Sequence, residues 1–305
     1  MFSIIRNDLA LDSVRLEEAV KALGKAYPIL EISTIGKSIL GTGIPLLQIG
    51  SGKKHIIMVG THHGMEWITS LVLLRFAEDL CENVTKKRKC YRYDMEFCMK
   101  THKILIVPML NPDGADYQIH GISEKNPLYD RVLHMNGGST DFSHWQANAR
   151  GVDLNHNYDC GFTEYKQLEQ ENRIPDGAPT RYSGMAPESE PETSSLCRLL
   201  RADPNVKMVL SLHTQGEEIF DTSGGERAPG SLPIAKKIAE MTGYRLSEAE
   251  GLASYGGLTD WVIRELGIPS YTLECGVGEN PLPIADFPGI YRKLREALFC
   301  APMLV

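Results

Sequence analysis

Hydrophobic residues recur along the chain with two different periods, which predict alternating helices and strands. Apolar positions follow a helical spacing at 12–27, 67–80, 232–241 and 259–266. Short segments rich in Ile, Leu and Val and bounded by Gly or Pro predict strands at 29–35, 44–49, 55–60, 104–109, 206–212 and 270–274. The order of these segments predicts an α/β fold in which a mixed or parallel, mostly buried central β-sheet is flanked by helices.

The composition is that of a folded enzyme rather than of a repeat or linker protein. The chain has 305 residues, of which 42% are hydrophobic and 23% charged, so it can bury a large core. It contains no Pro/Gly/Ser-rich linker, low-complexity segment or internal repeat. We therefore predict one catalytic domain over residues 1–305.

Charge and cysteine content exclude several classes of protein. The net charge of −7 argues against binding to nucleic acid, and we interpret the basic segment 86–89 as a solvated surface. No apolar stretch is long enough to cross a membrane, and the first residues lack the apolar core of a secretory signal. Seven cysteines without a CxxC pair indicate reduced thiols. These features predict a cytoplasmic protein of undetermined oligomeric state.

The strongest chemical signal follows the predicted strand 55–60. In Gly60-Thr-His-His-Gly-Met-Glu-Trp67, His63 and Glu66 lie three residues apart, and His213 follows the predicted strand 206–212. An isolated HxxE is more often a surface pair, and an isolated strand-end His is usually a hydrogen-bonded side chain. Together, however, two His and one Glu leave a fourth position for water, which is the pattern of a catalytic zinc site.

Further motifs follow in a fixed order along the chain. They are His63-x-x-Glu66-Trp67, Asn111-Pro-Asp-Gly114, Gly151-Val-Asp-x-Asn155, His213, Gly256-Gly-x-x-Asp-Trp261 and Tyr271-Thr-Leu-Glu274. In this order the chain resembles the zinc carboxypeptidase family over most of 35–283. The resemblance implies a zinc-carboxypeptidase-like fold and a single Zn²⁺ ion as the cofactor.

The resemblance also implies a role for each matching residue. His63, Glu66 and His213 would bind the zinc ion, and Glu274 would be the general base that accepts a proton from water. Asp153 would orient the His63 imidazole, although a turn residue before Asn155 is an alternative interpretation. The family spacing assigns the ligand role to His63 and not to its neighbour His62.

The chain departs from the family where the substrate's terminal carboxylate would bind. Gln146 and His156 stand in place of two arginines, and Leu252 in place of a tyrosine. With these departures the chain looks like the bacterial γ-D-glutamyl-diaminopimelate peptidases. That resemblance implies a small peptide or muropeptide substrate and a role in recycling cell-wall peptides.

The substrate-binding residues are less well defined than the zinc ligands. Arg150 either binds a substrate carboxylate or pairs with a surface carboxylate of the protein. Tyr255 either replaces the missing phenol or packs against its neighbours. We add Asn155, Gln146 and His156 to this set because the resemblance places them at the substrate.

Three other functions remain open at this point. A conventional carboxypeptidase would release C-terminal residues, and a related zinc amidohydrolase would deacylate a small amino acid. Outside the enzymes, the chain could be a metal-free binding protein on the same fold, but all three predicted ligands and the predicted base are present.

Overall fold

The computed structural model describes residues 3–305. Its helices are α1 (Ser13–Ala26), α2 (Ile68–Thr85), α3 (Met95–Thr101), α4 (Pro112–His120), α5 (Tyr129–Met135), α6 (Phe162–Glu171), α7 (Pro191–Ala202), α8 (Ser231–Thr242), α9 (Leu258–Trp261) and α10 (Phe287–Cys300). Its strands are β1 (Glu31–Lys37), β2 (Gly43–Ile49), β3 (Lys54–Gly60), β4 (Lys89–Cys90), β5 (Tyr93–Asp94), β6 (His102–Val107), β7 (Val206–His213), β8 (Glu218–Phe220), β9 (Arg245–Ser247) and β10 (Ser270–Glu274).

Eight strands form one sheet in the order β1-β2-β6-β3-β7-β10-β8-β9, and β4 pairs with β5 apart from it. The central strands β6, β3, β7 and β10 are parallel to one another. Antiparallel pairing joins β1 to β2, β2 to β6 and β8 to β10. The predicted mixed sheet is therefore confirmed, and its parallel centre brings the carboxyl ends of β3, β7 and β10 to one edge.

Both faces of the central sheet are covered. Along β3, Ile56 and Met58 pack into a core cluster that includes α2 and α10, whereas Ile57 and Val59 pack into a second cluster that includes α7 and α9. Alternate side chains of a strand point to opposite faces, so a strand buried on both faces reads as a continuous apolar segment. The uninterrupted apolar sequence of β3 has this cause.

Every helix and strand predicted from the apolar pattern is present, with ends shifted by a few residues. The predicted helix at 259–266 is α9 followed by a π-helical turn, Val262–Leu266. The pattern analysis missed the long helix α10, which buries an apolar face, and several short elements, among them α4 to α6, β8 and the edge strand β9. The short elements span too few residues for a period to be recognised.

The structure also agrees with the predictions for the basic segment and for the cysteines. The basic residues at 86–89 are exposed, and Lys86 pairs with Glu82 one helical turn away. All seven cysteines are free thiols. Among residues 3–305, no helix has the length and apolar composition needed to span a membrane. The predicted cytoplasmic location stays a prediction.

Candidate active site

The predicted metal ligands and the predicted base come from the ends of three neighbouring parallel strands. His63 and Glu66 follow β3, His213 is the last residue of β7, and Glu274 is the last residue of β10. Glu274 lies directly opposite His213 in the β7–β10 register. Sites in open α/β sheets form at this carboxyl edge, because the parallel strands deliver their following residues to the same place.

A tight bend after β3 turns the chain towards the site. Thr61 has a φ of 51°, and its N–H donates to the Thr69 hydroxyl at 2.9 Å. Gly64 approaches the Gly114 backbone so closely that an added Cβ would lie 2.3 Å from the carbonyl oxygen. Asn111 donates to the carbonyl oxygens of His62 and Ala147 at 3.0 and 3.1 Å. The bend is therefore fixed from three sides.

The three predicted ligands meet in space. One possible ligand atom of each of His63, Glu66 and His213 lies within 4.8 Å of the others. The Nδ1 atoms of His63 and His213 lie 2.9 and 3.1 Å from the two carboxylate oxygens of Glu66. We call these three residues the ligand cluster.

The ligand cluster fits a zinc ion. Two imidazole nitrogens and one carboxylate form the donor set of a catalytic zinc site, and ligand atoms about 3 Å apart suit bonds of about 2 Å to a shared ion. The Oε2 atom of Glu66 is buried, and the contact with His213 Nδ1 at 3.1 Å does not have the geometry of a hydrogen bond, so this oxygen is free to act as a ligand. Burial of such an atom is costly unless it is compensated.

A second carboxylate fixes the orientation of His63. Asp153 Oδ1 lies 3.0 Å from His63 Nε2, so a proton on Nε2 leaves Nδ1 to face Glu66. Burial alone would raise the pKa of Asp153, but the imidazoles of His63 and His156 outweigh it and hold the pKa far below its usual range. Burial likewise opposes the effect of His63 and His213 on Glu66, whose pKa falls to about 2. Both carboxylates are therefore charged at neutral pH.

Glu274 differs from Glu66 and Asp153, because no imidazole outweighs the effect of burial on its pKa. Burial raises the pKa of its carboxyl group well above the usual value, the nearby Glu66 raises it further, and His63 opposes the rise. A divalent cation close to the carboxylate would act in the opposite direction. The general-base role requires the ionised carboxylate, which such a cation would favour.

His62 lies beside the ligand cluster, but its ring nitrogens face Tyr158 and Ser211. Its Nε2 is 2.9 Å from the Tyr158 hydroxyl, and its ring stacks on His213 with centroids 5.1 Å apart. Burial, together with His213 and His63, lowers its pKa well below the usual value. His62 therefore packs as a neutral ring, in agreement with the assignment of the ligand role to His63.

A cleft of about 540 Å³ opens over the ligand cluster and Glu274. One side of it, which we call the loop wall, consists of Gln146, Asn155, His156 and Arg181. The ring of His156 stacks on Tyr165 at 4.0 Å, and its Nδ1 lies 2.8 Å from the Tyr255 carbonyl oxygen. Burial lowers the pKa of His156, so the ring is mostly neutral at pH 7. The side chain of Gln146 accepts a hydrogen bond from Thr180.

The other predicted substrate-binding residues take different positions. Asn155 lines the cleft and also accepts from the Leu258 N–H at 3.1 Å. Arg150 is not among the residues that line the cleft and pairs with Glu190 at 2.9 Å. Tyr255 is absent from the lining as well, and its ring lies against Gly161, where an added Cβ would come within 2.5 Å of it. The structure thus favours the ion-pair interpretation of Arg150 and the packing interpretation of Tyr255.

Sequence reasoning did not identify several residues of the lining. The most conspicuous is Arg181, an exposed cation in a loop that belongs to none of the motifs. The lining also includes the carboxylates of Glu218, Glu250 and Asp260 and the amide of Asn280. Asp260 lies in the motif 256–261, but no substrate role was predicted for it. Arg181, Glu250 and Asn280 lie in loops, where no apolar period reveals such residues.

Known proteins resemble this chain in sequence and in fold. Residues 16–297 match the model of the zinc carboxypeptidase family. The gamma-D-glutamyl-L-diamino acid endopeptidase 1 of Lysinibacillus sphaericus is 33% identical over 274 residues, which is 90% of this chain and 67% of that protein.

Two solved structures extend the similarity to the fold. The carboxypeptidase A of Helicoverpa armigera superposes with a TM-score of 0.73 at 18% identity, covering 98% of this chain and 75% of that chain. The murein-tripeptide amidase of Escherichia coli O157 superposes with a TM-score of 0.53 at 20% identity, covering 88% and 91% of the two chains. At these identities the likeness concerns the fold alone.

Proposed function

The chain belongs to the zinc carboxypeptidase family, and from this premise we propose that it hydrolyses the bond between D-glutamate and a diamino acid in peptidoglycan stem peptides. Membership makes it a zinc-dependent hydrolase. The name of the relative that is 33% identical supports the choice of bond. The substrate would be a small peptide or muropeptide that carries a γ-linked D-glutamate.

The observation that carries this proposal is the chemistry of the loop wall. Gln146 and His156 occupy the two positions where the family resemblance leads one to expect arginines, and neither offers a permanent charge. A terminal-carboxylate exopeptidase needs a fixed cation there, because an unpaired buried carboxylate costs several kcal/mol. The two positions at which the family resemblance leads one to expect arginines, Gln146 and His156, therefore argue against release of ordinary C-terminal residues.

We assign the metal-binding role to the ligand cluster. His63, Glu66 and His213 would hold one zinc ion, which supplies a Lewis acid that polarises the scissile carbonyl and acidifies water. Asp153 would keep His63 in the tautomer whose Nδ1 faces the ion. These assignments depend on the geometry of the side chains and on the match to the family's motifs.

Glu274 would act as the general base. Its carboxylate stands at the end of β10, in register with His213, and lines the same cleft as the ligand cluster. From there it would accept a proton from the attacking water and return it to the leaving amine. The amide bond is thus broken by addition of water, without a covalent bond between enzyme and substrate.

The proposal extends to the organisation and setting of the protein. We propose that residues 1–305 form one catalytic domain, since strands from both halves of the chain share the eight-stranded sheet. We also propose that the protein acts in recycling or turnover of cell-wall peptides, which follows from the substrate and has no separate support.

Two substrates test the proposal directly. Zinc-loaded protein is incubated with L-Ala-γ-D-Glu-diaminopimelate and, separately, with blocked dipeptides that end in aromatic, aliphatic or basic residues. Mass spectrometry should show release of the diamino acid from the first peptide and little or no release from the others. Protein treated with a chelator serves as the control.

Other outcomes would select a different function. Efficient release of ordinary C-terminal residues without cleavage of the γ-D-glutamyl bond would indicate a conventional carboxypeptidase. Deacylation of small acylated amino acids with neither peptidase activity would indicate an amidohydrolase. Absence of zinc from protein purified without chelators would contradict the assignment of the ligand cluster.

A further inference from the structure

Arg181 is a cation in the cleft without a carboxylate partner among residues 3–305. The other arginines near buried acids are paired, as Arg150 is with Glu190 at 2.9 Å and Arg227 with Asp221 at 2.7 Å. Arg181 instead lines the cleft with an exposed side chain. A guanidinium offers a planar set of donors that matches a carboxylate, so this side chain is suited to bind one from a ligand.

The backbone of Arg181 is fixed next to the ligand cluster. Its N–H donates to Asp153 Oδ2 at 3.1 Å, and the other oxygen of Asp153 lies 3.0 Å from His63 Nε2. Its carbonyl oxygen accepts from the Tyr165 hydroxyl at 3.1 Å. A single carboxylate therefore sets the position of both a predicted ligand and Arg181.

The conformation of Arg181 is one that its residue type rarely adopts. Its φ is 67°, in the left-handed region where a Cβ is crowded. The hydrogen bonds that Arg181 makes with Asp153 and Tyr165 hold it there. Its surroundings therefore over-determine a backbone conformation that an arginine otherwise avoids.

The two residues before Arg181 are hydrogen-bonded to Gln146, which stands where the family resemblance leads one to expect an arginine. The N–H groups of Gln146 and Ala147 both donate to the Pro179 carbonyl oxygen at 2.9 Å, and the Thr180 hydroxyl donates to the side chain of Gln146. Segment 179–181 is thus held against Gln146. It brings a guanidinium to the loop wall, where Gln146 itself has none.

We propose that Arg181 binds the free α-carboxylate of the D-glutamyl residue, on the acyl side of the bond that is cut. This inference rests on the proposed function. A γ-linked glutamate keeps its α-carboxylate only a few bonds from the scissile carbonyl, and Arg181 is anchored through Asp153 beside the ligand cluster. Glu218, Glu250 and Asp260 line the cleft from other segments; Glu218 is paired with Arg245, which leaves Glu250 and Asp260 for the ammonium group of a diamino acid.

The test compares two substrates that differ in one group. L-Ala-γ-D-Glu-diaminopimelate is paired with the same peptide in which the α-carboxylate of D-glutamate is a carboxamide. Wild-type protein should prefer the acid over the amide by roughly tenfold or more in kcat/KM, the usual size for hydrogen bonds to a charged group. Arg181→Ala should lose that factor on the acid and little on the amide, mainly through KM.

Two further variants test whether the preference for the acid depends on the position of the arginine and on the planar shape of its guanidinium. Arg150→Ala is the matched control, because it removes a guanidinium that lies outside the lining, and it should keep the preference for the acid. Arg181→Lys keeps the charge but not the planar fork, so it should recover part of the preference. Zinc content and circular dichroism should be the same in all three variants.

A binding measurement separates failure of this inference from failure of the proposed function. Calorimetry with zinc-loaded Glu274→Gln, with and without Arg181→Ala, measures the affinity for the acid and the amide peptides. In one outcome, wild-type protein cuts neither peptide, while the acid binds more tightly than the amide only when Arg181 is present. That result would refute the proposed function and support the assignment of Arg181 to a carboxylate. A preference for the acid that persists in Arg181→Ala, or no preference in wild type, overturns the assignment of Arg181.

Discussion

The ligand cluster and the loop wall face the same cleft but are built differently. His63, Glu66 and His213 follow strands of the parallel sheet, and each is held by neighbouring side chains at about 3 Å. The loop wall comes from irregular segments, in which Gln146 and Arg181 are positioned by hydrogen bonds between loops. The sheet fixes one side of the cleft and loops form the other, so residues of the loop wall can differ without disturbing the ligand cluster.

The largest effect is expected at the ligand cluster. His213→Ala leaves one imidazole and one carboxylate, and two protein ligands hold zinc poorly. We expect the purified variant to contain little zinc and to have no measurable peptidase activity. Metal analysis by mass spectrometry, together with the assay on the γ-D-glutamyl peptide, measures both.

A second histidine of the same cleft provides the control. His156 belongs to the loop wall and stacks on Tyr165, so His156→Ala should keep its zinc even if it binds substrate less well. Equal loss of zinc from both variants would remove the distinction between the two sides of the cleft. Full zinc content in His213→Ala would show that the ligand cluster was assigned wrongly.

The next effect in size concerns the base. Glu274→Gln keeps the shape of the side chain but cannot accept the proton of water, so kcat should fall by at least the roughly hundredfold typical of general-base catalysis. Zinc content should not change, since Glu274 is not one of the three residues of the ligand cluster. A variant that turns over near the wild-type rate would show that another group takes the proton.

The sequence predicted the strand-borne side of the cleft far better than the loop wall. His-Ile-Ile-Met-Val-Gly is buried on both faces and reads as a strand, so a residue just after it falls at the carboxyl edge of the sheet. The match to a family's motifs supplied the expected ligands, and the structure brings His63, Glu66 and His213 together.

The loop wall could not be derived in the same way. Arg150 and Arg181 are both arginines in loops, and sequence reasoning chose Arg150 because it lies beside a motif. In the structure Glu190 pairs with Arg150, whereas Asp153 and Tyr165 hold the backbone of Arg181 at the cleft. These contacts join residues up to 40 positions apart in the first case and 28 in the second. No local pattern records them.

The last prediction concerns protein stability and a buried carboxylate that is not among the residues lining the cleft. Glu192, in the first turn of α7, accepts from the Ile39 N–H at 3.2 Å and from Asn148 at 3.4 Å. Burial raises its pKa to about 8, and the neighbouring Asp113 and Glu190 contribute to the rise. The pKa values of Glu66 and Asp153 are shifted in the opposite direction, because nearby imidazoles outweigh the effect of burial.

The sign of the resulting pH dependence follows from proton binding. The unfolded chain ionises Glu192 near pH 4.3, so between that pH and about 8 the folded protein holds a proton that the unfolded chain has lost. Its contribution to stability is complete below the unfolded pKa and is lost as the pH rises through the folded pKa. Glu192→Gln is neutral at every pH and should therefore reduce the decline in the free energy of unfolding between pH 5 and 8 by up to about 1.4 kcal/mol per pH unit.

Urea unfolding at several pH values measures the slope, with Glu17→Gln on the exposed face of α1 as the control. An unchanged slope in Glu192→Gln would mean that this carboxylate ionises in the folded protein as it does in the unfolded chain. The contrast in charge compensation between Glu192 and the carboxylates of Glu66 and Asp153 would then be lost.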